Sequence, residues 1–256
     1  MERKPYDLDK LFVGNYELFT EVVRNPKTIF VYDADLILIN LAKIVTDDFC
    51  KKYGINVDLN DYDSWRYLTK LAEENGLSKN EIEHAEDGWF SPDLIRIANR
   101  YLYIKPLLNR TVSLYGPKNN FVLTARNPGL RDATLENFKR ELPMILPENI
   151  LMRKSGGITS HEDTAVYKAG ELERLSKIAP WVVFIDDSIT FVKTALDRNI
   201  DNLVVVNVPF GKMNPDFKHD MFIIINRYPD SHQGMYPLMD VFNRATAGMK
   251  PLVAHY

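Results

Sequence analysis

The stretch Thr28-Ile29-Phe30-Val31-Tyr32-Asp33-Ala34-Asp35 decides how the rest of the chain is interpreted. Its short apolar run, rich in Val, Ile and Phe, predicts a buried strand of a parallel sheet. The carboxyl ends of such strands face the ligand crevice, so we expect Asp33 and Asp35 at the mouth of a site. Two carboxylates this close repel each other unless positive charge lies between them, and Mg²⁺ with its preference for oxygen ligands would supply that charge. The alternative is a strand that ends in an ordinary polar turn.

Composition and charge limit the classes of protein to which this chain can belong. The chain has 256 residues, of which 45% are hydrophobic, and a net charge of -3, so a packed core is expected and bulk nucleic-acid binding is not. The single cysteine, Cys50, excludes an internal disulfide. Residues 1–5 lead into no long apolar run. We therefore expect neither a signal peptide nor a membrane segment, and a cytoplasmic protein.

Apolar runs alternate with amphipathic segments along the rest of the chain. Further strands are predicted at 120–126, 149–152, 181–187, 202–207 and 222–225, and helices at 7–24, 107–114, 128–142, 164–178, 189–198 and 235–249. This alternation predicts an α/β fold with a parallel sheet covered on both faces. The polar residues that could carry chemistry lie at or just after the carboxyl ends of the strands.

Residues 43–103 interrupt this alternation. They read as polar-faced helices without a strand signal, so we predict a small helical cap inserted after the first strand, with 1–42 and 104–256 as the core. The segment carries several aromatic residues, among them Trp65, Trp89 and Phe90. They either form the core of the insertion or cover a site as a lid.

Four motifs recur in a fixed order: Asp33-x-Asp35, Thr124, Lys168 and the pair Asp186-Asp187. Alone, each has an ordinary structural explanation as a turn, a cap or a solvated helix residue. Together and in this order they resemble the haloacid dehalogenase-like phosphatases, whose motifs are a DxD, a Ser or Thr, a Lys and an acidic pair on a Rossmann-like sheet. The resemblance covers residues 29 to 206 and implies a Rossmann-like three-layer fold.

The resemblance also implies catalytic roles. Asp33 would be the nucleophile that forms an aspartyl-phosphate, and Asp35 the general acid and then the base. The environments of these two carboxylates must therefore differ. Thr124 would hydrogen-bond a phosphoryl oxygen, and Lys168 would offset charge as a compact cation.

A magnesium site is implied in the same way. Asp33, the backbone carbonyl of Asp35 and one of the acidic pair would hold Mg²⁺. We favour Asp187 as the direct ligand, with Asp186 acting through water or from behind it.

The expected substrate is a small phosphorylated metabolite or a nucleotide. The helical insertion resembles a C1-type cap, and the sequence around Thr124-Ala125-Arg126 is similar to the deoxyribonucleotidase branch, which implies a 5′-nucleotidase. Polynucleotide 3′-phosphatases carry a comparable Arg. We expect Ala125, Arg126, Trp89 and Phe90 to contact substrate, with an aromatic ring stacking on a base. Arg126 could instead be a salt-bridged structural residue.

Two departures and several alternatives stay open. Leu36-Ile37-Leu38 stand where the family often has Gly, then Thr or Val, then Leu, and Asn40 stands where Asp is frequent. Both departures put the geometry of this turn in question. A non-catalytic phospho-ligand or partner-binding module on the same fold would not need both Asp33 and Asp35. A phosphotransferase or phosphonatase is a further alternative within the class. A receiver domain is excluded, because its acidic pair precedes the phosphorylated Asp.

Overall fold

The computed structural model describes residues 12–102, 104–153, 161–212, 219–226 and 235–252. Within them the strands are β1 (Phe12–Val13), β2 (Ile29–Tyr32), β3 (Asn120–Thr124), β4 (Ile150–Met152), β5 (Val182–Asp186), β6 (Leu203–Asn207) and β7 (Phe222–Ile225). The α-helices are α1 (Tyr16–Arg24), α2 (Leu41–Tyr53), α3 (Tyr67–Glu74), α4 (Lys79–Glu83), α5 (Pro92–Ile97), α6 (Ile104–Tyr115), α7 (Arg131–Glu141), α8 (His161–Ser176), α9 (Ile189–Leu196) and α10 (Met235–Ala245). None of these helices combines the length and apolar character needed to cross a membrane.

The strands form one sheet in the order β1-β7-β6-β5-β2-β3-β4. Every neighbouring pair is parallel except β1 with β7. From β2 the chain adds β3 and β4 on one side and then returns to add β5, β6 and β7 on the other. The carboxyl end of β2 therefore lies at the point where the strand order reverses, which is where open α/β sheets bind ligands.

Helices cover both faces of the sheet. Along β2, Phe30 and Tyr32 belong to one buried apolar cluster, whereas Ile29 and Val31 belong to the cluster on the opposite face. Since successive side chains of a strand alternate between faces, a strand buried on both faces must be apolar throughout. This explains the continuous apolar run of β2 and confirms the predicted three-layer α/β fold.

The N-terminal helix predicted at 7–24 is wrong in part. Residues 12–13 form β1, an antiparallel edge strand, and the helix begins only at Tyr16 behind Asn15, whose side chain accepts a hydrogen bond from the Leu18 amide at 3.0 Å. Gly14 breaks the helix because its φ of 137° is not helical, and a Cβ there would lie 2.8 Å from the Phe222 carbonyl oxygen, so this conformation requires Gly. The sheet is thus mixed at one edge, and the insertion follows its second strand; residues 7–11 lie outside the described residues.

Residues 43–103, called the insertion below, contribute helices and no strand among their described positions. Contacts hold the insertion against the core on two sides. The Lys212 amide donates to the Tyr62 carbonyl at 2.6 Å, and the Asn137 side chain donates to the carbonyls of Ile95 and Ala98 at 2.8 and 2.7 Å.

Candidate active site

Strand register brings the sequence motifs to one edge of the sheet. Tyr32 is paired with Ile185 on one side and with Val122 on the other, so the next residue, Asp33, emerges beside the end of β5. The Asp33 amide continues the ladder by donating to the Ile185 carbonyl at 2.8 Å. Thr124 is the last residue of β3. The carboxyl ends of β2, β3 and β5 therefore present their polar residues to the same crevice.

Lys168 joins two of these strand ends. Its ammonium donates to Asp33 Oδ1 at 2.6 Å and to Asp186 Oδ2 at 2.7 Å, and the residue is only 1% exposed. Burial by itself lowers the pKa of Lys168, but the carboxylates of Asp186 and Asp33 outweigh that effect and raise it. The side chain is therefore a permanent cation, fixed between two carboxylates in a dry environment.

Burial and neighbouring carboxylates oppose the negative charge of Asp33. Burial raises its pKa to about 7, Lys168 opposes that rise, and the negative charges of Asp186 and Asp35 add to it. A further cation at the site would favour the ionised form of Asp33.

The two members of the acidic pair differ in their partners. Both oxygens of Asp186 accept hydrogen bonds: Oδ2 accepts from the Lys168 ammonium, and Oδ1 accepts from the Ser188 amide at 2.7 Å. Asp187 is buried, and neither of its carboxylate oxygens accepts a hydrogen bond in the described part of the chain. Burial, followed by the charges of Asp186 and Asp33, raises the pKa of Asp187 well above its usual range.

This arrangement suits a hard divalent cation. One oxygen from each of Asp33, Asp186 and Asp187 lies within 4.8 Å of the others. Buried carboxylate oxygens without donors are rare and costly, and a bound cation would satisfy them. The donor set consists of oxygen alone, which is what Mg²⁺ prefers.

Asp35 lies in a different environment from Asp33. The guanidinium of Arg126 donates through Nε to Asp35 Oδ2 at 3.0 Å and through Nη2 to Oδ1 at 2.5 Å, a two-pronged pairing. Its Nη1 donates to Thr134 Oγ1 at 3.1 Å, so the fork is oriented from behind. The Asp35 side chain keeps 20% of its surface exposed, and Asp35 lines a cavity between the core and the insertion.

The turn after Asp35 accommodates its unusual sequence. Leu36 has φ 63°, the left-handed conformation that favours Gly, and its side chain is buried. The amides of Leu38 and Ile39 both donate to the Ala34 carbonyl, at 3.0 and 2.9 Å. The turn thus forms without Gly. Burial of the apolar Leu36 side chain stabilises it and offsets the cost of the left-handed backbone conformation.

A cavity of about 310 Å³ opens above these residues. Its core wall contains all the predicted catalytic residues and two of the predicted substrate contacts: Asp33, Asp35, Thr124, Ala125, Arg126 and Lys168. Its opposite wall comes from the insertion: Trp65, Arg66, Glu86, Trp89 and Phe90. Asp186 and Asp187 are absent from the lining and lie behind Asp33 and Lys168.

Glu86 organises the wall that the insertion supplies. Its Oε1 accepts from the amide and hydroxyl of Thr69 at 3.0 and 3.1 Å, near the start of α3, and its Oε2 accepts from the indole of Trp89 at 2.9 Å. Trp89 in turn meets Trp65 edge to face, with ring centroids 5.2 Å apart. The aromatic surface is therefore held in place by a hydrogen-bonded carboxyl group.

Sequence reasoning missed several lining residues. These are Arg66, Glu86, Asn127, Leu130, Arg153, Thr164 and Phe191. Arg153 directly follows β4, so the rule that polar residues at strand ends face the crevice could have found it. Phe191 lies under the Lys168 ammonium, 4.1 Å from nitrogen to ring centroid, and no pattern in the sequence marks it.

Comparisons with known proteins agree on the fold. No protein-family model matches the sequence, and neither does any curated protein. Among solved structures, a haloacid dehalogenase-family hydrolase from Deinococcus radiodurans R1, with bound phosphate and sodium, is 15% identical; the match covers 86% of this chain and 96% of that one, with a TM-score of 0.51. This chain has the haloacid dehalogenase-like fold.

A second structure of the same kind shows how far that likeness reaches. Protein tyrosine kinase A (PtkA) of Mycobacterium tuberculosis is 17% identical over 85% of this chain and 98% of its own, with a TM-score of 0.50. One neighbour is thus described as a hydrolase and the other as a kinase. The fold does not decide the reaction, which has to be argued from the site.

Proposed function

We propose that this protein is a Mg²⁺-dependent phosphomonoester hydrolase that acts through an aspartyl-phosphate on Asp33. The observation that carries the proposal is the buried Asp33–Lys168–Asp186 arrangement beside Asp187, at the floor of a cavity that Asp35 also lines. It supplies a nucleophile, fixed positive charge and a proton carrier around one small volume.

The first step uses both carboxylates of the DxD motif. Lys168 holds Asp33 Oδ1, which leaves Oδ2 to attack phosphorus. A bond forms between that oxygen and phosphorus while the bond to the leaving oxygen breaks, and Asp35 delivers a proton to the leaving oxygen. The Thr124 hydroxyl donates to a phosphoryl oxygen, and the charge of Lys168 offsets the negative charge of the transferred group.

The second step reverses the role of Asp35. The carboxylate left by the first proton transfer takes a proton from water, and the water oxygen attacks phosphorus. The bond between phosphorus and Asp33 breaks, which releases phosphate and the free carboxylate. Arg126 contacts both oxygens of Asp35, so one of these contacts has to open when Asp35 carries the proton and the other keeps the carboxyl group in position. We therefore assign Arg126 a positioning role rather than direct contact with substrate.

The metal site is proposed from the same contacts. Asp33, Asp187 and the backbone carbonyl of Asp35 would hold Mg²⁺, while Asp186, already engaged by Lys168 and Ser188, supports them from behind. When bound, the cation neutralises charge on the phosphoryl oxygens and keeps Asp33 ionised.

The insertion is proposed to act as the cap that selects the leaving group. Trp65, Trp89 and Phe90 line the same cavity as the reactive residues, which supports a planar leaving group such as a nucleoside. The proposed substrates are therefore nucleotides or other small phosphorylated metabolites. A 3′-phosphorylated oligonucleotide is the alternative to test beside them.

Intact-mass spectrometry tests the two carboxylates separately. Asp33→Asn and Asp35→Asn proteins are mixed with an activated aryl phosphate and Mg²⁺, with Asp47→Asn, a change at an exposed surface pair, as control. We expect a phosphate adduct to accumulate on Asp35→Asn, because its nucleophile is intact and its base is missing. Asp33→Asn should form none, and Asp47→Asn should turn over like the wild type.

Other outcomes point to other functions. Turnover by Asp33→Asn would overturn the nucleophile assignment. No adduct and no phosphate release by any of the proteins would favour a non-catalytic phosphate-binding module. An adduct that is discharged only by an added acceptor would identify a phosphotransferase.

A further inference from the structure

Tyr101 carries an unexplained polar group. It lies where the chain returns from the insertion to the core, is 3% exposed, and its hydroxyl accepts and donates no hydrogen bond among the described residues. Its backbone amide donates to the Leu38 carbonyl at 3.1 Å, which places Tyr101 beside the turn that follows Asp35. A buried hydroxyl without a partner costs about 1–3 kcal/mol, so it calls for an explanation.

The charged groups near the Tyr101 hydroxyl suggest why it has no partner. Burial raises the pKa of Tyr101 well above its usual range, and the negative charges of Asp187 and Asp35 add to the rise. The phenol therefore keeps its proton and can act only as a neutral donor or acceptor. Asp187 lacks the opposite kind of partner, since neither of its buried oxygens accepts a hydrogen bond from a described residue. The Tyr101 hydroxyl, which has no acceptor among the described residues, therefore lies close enough to Asp187 to feel its charge, and the Asp187 oxygens have no donor.

Two buried cations of the described part of the site have other partners. Arg126 is committed to Asp35 and Thr134, and Lys168 is committed to Asp33 and Asp186. No hydrogen bond joins Tyr101 directly to Asp187. What would satisfy both residues together is a hydrated cation, whose charge suits the carboxylate and whose bound water accepts from or donates to a hydroxyl.

We propose that Tyr101 is a positioning residue of the metal centre, whose hydroxyl hydrogen-bonds into the hydration shell of the cation held by Asp187. The proposal rests on the metal site of the proposed function. It adds a residue from outside the four motifs, on the segment that connects the insertion to the core. The buried Tyr101 hydroxyl would have a hydrogen-bond partner only when the cation is bound.

The test is the Mg²⁺ dependence of thermal unfolding, which needs no substrate. Tyr101→Phe removes the hydroxyl and keeps the ring. We expect the Mg²⁺ concentration at half-maximal stabilisation to rise about tenfold in this variant, at the low end of the effect of removing a partner of a metal ligand. In EDTA, Tyr101→Phe should unfold at the wild-type temperature or higher, because the lost hydroxyl had no partner.

Tyr62→Phe is the matched control in the insertion. In the wild type, the buried Tyr62 hydroxyl is hydrogen-bonded to the Thr46 hydroxyl at 2.8 Å, and Thr46 does not belong to the acidic cluster. This variant should show the opposite pattern: a lower unfolding temperature in EDTA and an unchanged Mg²⁺ midpoint. A crossed result of this kind separates metal binding from general stability.

Three results would overturn the inference. An equal Mg²⁺ midpoint in wild type and Tyr101→Phe would remove the role of Tyr101 and leave the metal centre intact. A Tyr101→Phe protein that unfolds earlier than wild type in EDTA would show that the hydroxyl serves the metal-free fold. If the wild type shows no Mg²⁺-dependent stabilisation, the metal centre itself is wrong and the role of Tyr101 is lost with it.

Discussion

The two walls of the cavity differ in the burial and pairing of their side chains. On the core wall, Lys168 and Asp33 are buried and each charge has a fixed counter-charge at hydrogen-bond distance. On the wall from the insertion, Phe90 is 45% exposed, and the exposed Arg66 has no ion-pair partner among the described residues. Fixed, dry charges are what stabilise developing charge in a reaction, whereas exposed rings and cations are suited to contact a ligand.

The difference separates chemistry from selection. A change on the core wall disturbs buried charges, and it should therefore alter stability and reaction together. A change on the opposite wall alters apolar contact area and should alter only which leaving group is preferred. Substitutions on each wall and a change of pH test this division.

Lys168→Met should have the largest effect. It leaves Asp33 and Asp186 buried without their cation, which typically costs about 3–5 kcal/mol. Urea unfolding at pH 7 in EDTA measures the loss, and a drop to pH 5 should recover part of it because the carboxyls then bind protons. Lys177→Met, at an exposed pair with Glu173, should change stability by only about 0–1 kcal/mol. A small effect at Lys168 would show that its charge is not needed to hold the core wall together.

Arg126→Lys should lower turnover without removing charge. The single ammonium cannot reproduce the two-pronged contact with Asp35, and a misplaced proton carrier costs about 10²-fold. The loss in kcat/KM should be large for an alkyl phosphate and small for p-nitrophenyl phosphate, whose leaving group needs little protonation. The exposed Arg96→Lys serves as the control. Equal losses on both substrates would mean that Arg126 binds the phosphoryl group instead.

Phe90→Ala should change selectivity and leave stability alone. Loss of a stacking ring should weaken kcat/KM for a nucleoside monophosphate by roughly 1–3 kcal/mol and leave an alkyl phosphate unaffected. Ile97→Ala is the matched control, because Ile97 is an exposed apolar residue of the insertion outside the cavity lining. If both substrates lose activity equally, the insertion does not select the leaving group.

The smallest effect concerns pH. Since Asp33 has its pKa raised to about 7, a proton must leave before a cation binds at lower pH. The Mg²⁺ midpoint of thermal stabilisation should therefore fall by up to about tenfold, or 1.4 kcal/mol, as pH rises from 6 to 7. In EDTA the sign is opposite: native Asp33 binds its proton more tightly than the unfolded chain, so stability declines as pH rises from about 4 to 7. Asp33→Asn should reduce both slopes, and the remaining slope belongs to Asp187, whose pKa burial also raises.

Sequence alone was sufficient for the parts of this protein that depend on local pattern. The apolar runs predicted β2, β3 and β5, because the interior positions of a strand buried on both faces are apolar and polar residues stand only at its ends. The order of polar residues at their ends placed Asp33 and Thr124 at one edge of the sheet, since parallel strands share the direction of their carboxyl ends. One local pattern was read wrongly, at residues 12–13, where pairing with β7 decides strand over helix.

Tertiary structure alone decided which polar groups meet. Nothing in the sequence distinguishes Asp186, held by Lys168, from Asp187, whose oxygens are left without donors. The pairing of Arg126 with Asp35 and the approach of Tyr101 to the acidic cluster likewise join residues far apart in the chain. Such contacts depend on the direction and distance of side chains from packed elements, and a hydrogen bond is made or lost within a few tenths of an ångström, which no linear pattern encodes.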